Sequence, residues 1–453
     1  MKIVIIGGGK VGVMLASELA NENHDIVIVD NDKEKAKLYS ETMDVMTIYG
    51  NGALVEVQRE ADVDHADLVI AVTGEDELNM LSCIVARKLG CKNTIARVRN
   101  RGYAEQMYML KDDLGLSMVI NPEMLAAKEF YGLLQMPAFM NRDTFAEGRV
   151  ENVEFAIAKD SVLNGLSLKE IPSKVKVKVL VCAVIRQGKT YIPDGNFVLN
   201  EGDKIYVTAP ASMLAKLTHE LKLRSKKSKD VLIVGGGRIA EYLVPMLLKS
   251  GIRVKIIEKN RDRCDYLAQL LPEANIICSD GSSQRVLKMH NIEHMDAVLP
   301  LTSMDEENII IAMYARKLGI PQVLTKINRL EYGEILGDRG ADALVSPKEL
   351  SSFEVVRYVR AMENTGGSAV LTIYKLANDN AEAQEFAVTD STKNLGVPLM
   401  DLKLKKDILI ACISRRGKII IPGGADILQS GDTVVIVTAA GRSIIDLNDI
   451  FAG

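Results

Sequence analysis

Short apolar runs separated by amphipathic stretches fill the first 120 or so residues. The runs at 3–6, 26–29, 45–49, 68–72, 94–98 and 118–120 are mostly Ile and Val, with little polar alternation. Runs of that kind predict strands buried on both faces. Helical patterns fill the gaps. Over Asp76–Leu89, for example, Leu78, Leu81, Val85 and Leu89 recur at helical spacing, and Asp76 is placed to cap the helix. Strand–helix alternation predicts a parallel sheet covered by helices. After about residue 140 the pattern changes. The segments VENVEFAIA, VLVCAVI and KIYVTA are separated by turn signals at Gln187-Gly188, Asp194-Gly195 and Glu201-Gly202-Asp203. They predict a small strand-rich α+β lobe with two helical pieces.

The whole pattern then recurs. KIVIIGGGKVG at 2–12 matches DVLIVGGGRIA at 230–240, and TGEDELNMLSCIVARKLG at 73–90 matches TSMDEENIIIAMYARKLG at 302–319. Asp76, Glu77 and Asn79 fall against Asp305, Glu306 and Asn308, and YIPDG and EGDKIYV return as IIPGG and SGDTVVI. The predicted fold is therefore α/β: a tandem duplication of a Rossmann-like parallel-sheet domain followed by a small α+β lobe. The expected boundaries are 1–138 and 139–222 for the first copy and 230–364 and 365–453 for the second. A basic linker is expected at 223–229.

Composition excludes several classes. The chain is 47% hydrophobic and 26% charged with a net charge of -4, an ordinary globular balance that gives no reason to expect nucleic acid. No apolar run approaches the roughly 18 residues of a membrane span, and the apolar N-terminal run is too short for a signal peptide. A cytoplasmic protein is expected, reaching a membrane only through a partner. The six cysteines form no CxxC pair and read as buried free thiols, and the five histidines lie in no metal-binding motif, so no metal is expected.

The candidate chemistry is nucleotide binding. Gly7, Gly9 and Gly12 frame Lys10 and Val11 in a GxGxxG between the first strand and the first helix. In such a loop the first glycine makes the turn, the second admits a pyrophosphate and the third lets helix and strand pack closely. Asp30 ends the second strand, where a carboxylate accepts ribose hydroxyls and repels a 2′-phosphate, favouring NAD(H) over NADP(H). Asn51, Thr73 and Gly74 follow later strand ends at the same crevice. Arg97 and Arg99 alternate on the fifth strand, pointing to one face, either to meet phosphate or to pair with acidic residues at an interface. The second copy keeps Gly235 and Gly237 but has Ala240, Glu258, Lys326 and Asn328 at the matching positions. Its Pro245 is expected to kink the first helix or interrupt its hydrogen bonding.

Taken in order, IVIIGGGKVG, VIAVTGEDELNMLSCIVARKLG, TIARVRN, VINPE, YIPDG and EGD resemble the TrkA family, peripheral regulatory subunits of bacterial Trk-type potassium transporters. The resemblance covers the whole chain. It implies two RCK units per chain and a homo-oligomer, a tetramer whose eight RCK units form a ring. That ring docks on an integral-membrane potassium channel subunit and changes shape with NAD(H) or ATP/ADP. By this resemblance Gly7, Gly9, Lys10, Val11, Gly12, Asp30, Asn51, Thr73, Gly74 and Arg97 form one nucleotide site. Gly235, Gly237, Glu258, Asp280, Thr302 and Lys326 form another. It also implies a cation near Glu123 in some relatives, with Lys348 standing there in the second copy. The competing class is an NAD-dependent oxidoreductase, which needs a hydride acceptor and a general acid or base. No histidine here lies in a recognisable catalytic motif, so no catalytic residue is expected. A third reading places a cyclic dinucleotide on the small lobes near 191–193 or 420–422.

Overall fold

The computed structural model describes residues 1–453 except 137–138, 140–141, 146–149, 222, 224–227, 330–331, 333–339, 365–369, 377–379, 440–443, 445 and 453. Most of the expected linker at 223–229 lies outside the described residues.

The first six strands are β1 (Lys2–Ile6), β2 (Asp25–Asp30), β3 (Met46–Tyr49), β4 (Leu68–Ala71), β5 (Asn93–Arg97) and β6 (Met118–Ile120). Between them run α1 (Lys10–Asn21), α2 (Lys33–Thr42), α3 (Val55–Glu60), α4 (Asp76–Leu89) and α5 (Arg101–Leu110), and α6 (Pro122–Gln135) follows. The strands pair in parallel in the order β3-β2-β1-β4-β5-β6. Ile3, Val4 and Ile5 of the central strand are fully buried, as an apolar run without alternation requires. The order reverses between β1 and β4, and the carboxyl ends of those strands open a crevice there.

Helix α4 departs from its pattern. Its buried face is Asp76, Asn79, Ser82, Cys83 and Ala86, whereas Leu81 of the apolar stripe is 49% exposed. Small side chains on the inner face let the helix lie close to the sheet. The stripe that the spacing picked out is turned partly outward.

The next lobe is antiparallel: β7 (Arg142–Phe145), β8 (Val150–Ala156), β9 (Leu180–Arg186), β10 (Lys189–Tyr191) and β11 (Lys204–Ala209), in the order β10-β9-β11-β8-β7. α7 (Ile171–Lys174) and α8 (Ala211–Glu220) are its two helical pieces. Gln187 and Gly188 both have positive φ, the geometry of a tight hairpin turn between β9 and β10. Arg186 makes two 2.7 Å bonds to the buried Asp203 and pins the sheet to the Glu201-Gly202-Asp203 turn.

The second copy repeats both lobes. β12 (Asp230–Val234), β13 (Arg253–Glu258), β14 (Asn275–Cys278), β15 (Ala297–Pro300), β16 (Gln322–Lys326) and β17 (Ala343–Val345) form a second parallel sheet, ordered β14-β13-β12-β15-β16-β17, with α9 (Arg238–Lys249), α10 (Arg261–Leu270), α11 (Gln284–Met289) and α12 (Asp305–Lys317) between the strands. After α13 (Pro347–Asn364) come β18 (Val370–Leu376), β19 (Ala381–Ala387), β20 (Ile408–Arg415), β21 (Lys418–Ile420) and β22 (Thr433–Ala439), again antiparallel. Arg415 and Asp432 repeat the Arg186–Asp203 pair at 2.8 Å.

Like packs with like. One compact unit is Met1–Tyr131 with Ser228–Tyr358 and holds both parallel sheets; the other is Gly132–Lys227 with Val359–Gly453 and holds both antiparallel sheets. Within the first unit, α13 meets α1 through Ser352 Oγ, which donates to Glu18 Oε2 at 2.7 Å. Helix α9 meets the first copy through Tyr242, which accepts from Asn121 at 2.9 Å and donates to the Arg99 carbonyl at 3.2 Å. Burial pushes the Tyr242 phenol up to about 12, so it stays a donor. Pro245 does not break α9, which runs through it. Proline cannot donate to the carbonyl four residues back, that of Glu241. Arg101 of the first copy donates to that carbonyl at 3.3 Å instead.

Candidate nucleotide site

At the end of β1 the chain turns at Gly7, with φ +107°; a Cβ there would lie 2.8 Å from the Thr73 amide nitrogen. A Cβ on Gly12 would lie 1.9 Å from the Gly7 carbonyl oxygen. Both positions exclude larger residues by geometry. Gly9 is the opposite case. Its backbone is extended (φ -75°, ψ -175°) and a Cβ would meet nothing within 4 Å. It caps α1 without a side-chain hydrogen bond, so the helix opens onto free space.

Asp30 is buried at the end of β2. Its Oδ2 accepts from the Gly8 amide at 2.6 Å and its Oδ1 from the Asp32 amide at 2.8 Å. Tyr39 holds the same glycine from the other side, donating to its carbonyl at 2.5 Å. Burial, and then the nearby Asp30 charge, raises the Tyr39 pKa and keeps the hydroxyl a donor. Asp30 thus braces the glycine loop as well as facing the crevice, a role the sequence alone did not suggest.

The opposite wall is organised by Asn79, which sequence reasoning noted only as a repeat match. Its Oδ1 accepts from the Thr73 amide and hydroxyl, both at 2.7 Å, and its Nδ2 donates to the Arg97 carbonyl at 2.9 Å. One buried amide therefore ties the end of β4 to the end of β5. Asn308 repeats the backbone bonds: its Oδ1 accepts from the Thr302 amide at 2.9 Å and its Nδ2 donates to the Lys326 carbonyl at 3.1 Å. The signal that could have found this pair is that an asparagine survives in both copies on the buried face of a helix. Asp76 is not the cap of its own helix: Glu75 occupies that position, and Asp76 Oδ2 accepts from the amides of Arg99 and Asn100 at 2.9 and 2.7 Å.

The two arginines separate. β5 ends at Arg97, so Arg99 lies beyond the strand rather than on it. The Arg97 guanidinium donates to the Thr73 carbonyl, and its Nε has no partner among the described residues. Burial, with Arg99 nearby, pushes the Arg97 pKa down. Arg99 pairs with Glu123 through Nε at 2.7 Å and Nη2 to the same oxygen. The acidic-partner alternative thus describes Arg99.

The second copy uses the same plan with different residues. Gly235 has φ +104° against Leu301 and Thr302, and a Cβ on Gly237 would again face open space. Glu258 accepts from the Gly236 and Asn260 amides, both at 2.8 Å. Arg263 replaces Tyr39 in function: it donates to the Gly236 carbonyl at 2.7 Å and pairs with Glu241. Lys326 donates to the Thr302 carbonyl at 2.6 Å, and burial lowers its pKa. Asp280 is exposed and accepts from Ser282, which lowers its pKa.

The two crevices open into one cavity of about 1050 Å³. Gly7, Gly9, Lys10, Val11, Asp30, Asn51, Thr73, Gly74 and Arg97 line it from the first copy, whereas Gly12, packed against the Gly7 carbonyl, is outside its wall; Gly237, Arg238, Lys326 and Lys348 line it from the second. Gly235, Glu258, Asp280 and Thr302 are outside its wall. Basic side chains dominate the wall: Lys10, Lys35, Arg97, Arg99, Arg238, Arg263, Lys326 and Lys348, against Asp30, Glu75 and Glu123. Such a lining favours a multiply charged anion. Glu123 gives one oxygen to Arg99, and its Oε2 has no partner among the described residues.

Comparison with known proteins agrees with this architecture. The TrkA-N domain model matches residues 3–122 and 231–347, and the TrkA-C domain model matches 152–222 and 383–449. The chain belongs to the TrkA family. A Trk system potassium uptake protein TrkA homolog from Methanosarcina mazei is 33% identical over 451 residues, 98% of each chain. The Trk system potassium uptake protein TrkA of Halomonas elongata is 31% identical over 460 residues, covering all of this chain and 98% of its own. Among solved structures, the GsuK channel bound to NAD superposes with a TM-score of 0.65 at 18% identity, over 96% of this chain and 76% of that one, a likeness of fold. Among the described residues of this TrkA-family chain, no helix is long and apolar enough to cross a membrane.

Proposed function

We propose that this chain is the nucleotide-sensing regulatory subunit of a potassium transporter. It assembles with further copies of itself as a ring, docks on an integral-membrane potassium channel subunit and gates potassium uptake. The ligand is NAD(H) or ATP/ADP, held by the first crevice. The observation that carries this reading is the shared cavity. A ligand on the Gly9 loop faces Arg238, Lys326 and Lys348 of the second copy, so binding in one lobe is felt by the other. A ligand can shift a coupled assembly only by its differential affinity for two arrangements. A cavity walled by two lobes supplies that difference whenever the lobes move.

Assembly is supported by apolar side chains left on the outer helices. Leu81 of α4, Met109 and Leu110 of α5, and Ile310 and Met313 of α12 are 39–75% exposed within the chain. Exposed apolar side chains of that kind suit contact with further copies. Calorimetric titration with NAD, NADH, ATP and ADP, alongside an assay for cofactor turnover, tests the reading. Saturable binding without turnover is expected. Turnover of a nicotinamide with a small substrate would replace this reading with the oxidoreductase one, and no binding by any of the four would remove the sensing role.

A further inference from the structure

The second parallel lobe carries a pair of cysteines that nothing in the nucleotide reading uses. Cys264 sits in α10, six residues after the strand-end acid Glu258, and its Sγ donates to the Glu258 carbonyl at 3.2 Å. Cys278 ends β14 directly opposite Glu258 in the parallel register. Both thiols therefore flank one residue, and they interact with each other. Cys278 is exposed and Cys264 is buried. The first copy has Ala36 and Tyr49 at the corresponding positions, six residues after Asp30 and opposite it in register. The pair is thus particular to the second lobe and is no requirement of the fold.

Its surroundings give the pair leverage. Arg263, the residue before Cys264, grips the Gly236 carbonyl and Glu241 and lines the shared cavity. A bond from Cys264 to β14 would fix the first turn of α10, which carries that guanidinium.

We propose that Cys264 and Cys278 are a peroxide-responsive dithiol whose disulfide straps α10 to β14 and repositions Arg263 at the second glycine loop. The exposed Cys278 thiolate attacks hydrogen peroxide, giving a sulfenic acid and hydroxide. Cys264 sulfur then displaces the sulfenic oxygen, which leaves as water with the Cys264 proton. The sum is two thiols and one peroxide to one disulfide and two waters. Burial, with Cys278 beside it, pushes the Cys264 thiol up to about 12, which keeps it protonated and leaves the first attack on peroxide to Cys278.

The test uses the full chain, reduced and then exposed to hydrogen peroxide. Proteolysis without reductant, followed by mass mapping, should show a Cys264–Cys278 cross-link that dithiothreitol reverses and that Cys278→Ser and Cys264→Ser each abolish. Backbone hydrogen exchange in α10 should slow several-fold on oxidation in the wild type and stay unchanged in Cys278→Ser, whose exposed substitution leaves the fold in place. Oxidation of Cys278 with Cys264 still a free thiol would overturn the proposal, as would a cross-link that leaves α10 exchange unaltered. Neither readout depends on nucleotide, so failure of the sensing role and failure of the dithiol are separable.

Discussion

Replacing Gly9 with valine separates a ligand contact from a structural one. The Gly9 backbone lies where any residue is allowed, and a Cβ there meets nothing within 4 Å. The folded protein should tolerate Gly9→Val within about 0.5 kcal/mol, as an exposed substitution does. The side chain then occupies the space where the pyrophosphate approaches the start of α1. One charge-assisted hydrogen bond lost there is worth ~1.5–3 kcal/mol, which is ~10- to 150-fold in affinity. Gly12→Ala is the contrast, because its Cβ would lie 1.9 Å from the Gly7 carbonyl. The loop must shift, at a cost of about 1–3 kcal/mol in stability. The chain has no tryptophan, so unfolding is followed by circular dichroism and binding by calorimetry. Gly9→Val should melt with the wild type and bind NADH or ATP weakly, while Gly12→Ala should melt earlier. Wild-type affinity in a well-folded Gly9→Val protein would refute the placement of phosphate at this loop.

Asp30→Ala should lose both affinity and stability, because it leaves the buried Gly8 amide unsatisfied, at about 1–3 kcal/mol. Glu258→Ala should weaken nucleotide binding much less, since Asp30 lines the cavity and Glu258 does not; equal losses in calorimetry would contradict this asymmetry. Arg101→Ala should cost ~0.5–1.5 kcal/mol in the wild type and close to nothing in Pro245→Ala, where the restored backbone amide donates to the Glu241 carbonyl from within α9. A denaturation cycle with no coupling between those two substitutions would show that the cross-lobe bond is idle.

Much of the fold was legible because the parallel strands are buried on both faces and so appear as unbroken apolar runs. The duplication then vouched for each element twice. The glycine loop was legible through its spacing: a Cβ on Gly12 would meet the carbonyl of Gly7, five residues back in the same loop. What depended on distant parts of the chain was not legible. The spacing of Leu78, Leu81, Val85 and Leu89 marked a helix but not its inner face, because small residues win where a helix must approach a sheet closely. Asp76 looked like a cap and instead holds the loop after β5, a bond set by tertiary packing. Pro245 was expected to disturb α9, and the missing donor was supplied from the other copy. The shared cavity itself arises from the meeting of two copies more than 200 residues apart, which no local pattern encodes.

The most direct test of the sensing role is potassium flux into vesicles containing the reconstituted membrane partner and this chain, measured with and without NADH, NAD, ATP and ADP. Flux should require the chain and change with nucleotide. Gly9→Val should still assemble on the partner but no longer respond. A normal nucleotide response in Gly9→Val, or flux indifferent to the presence of the chain, would contradict the sensing role.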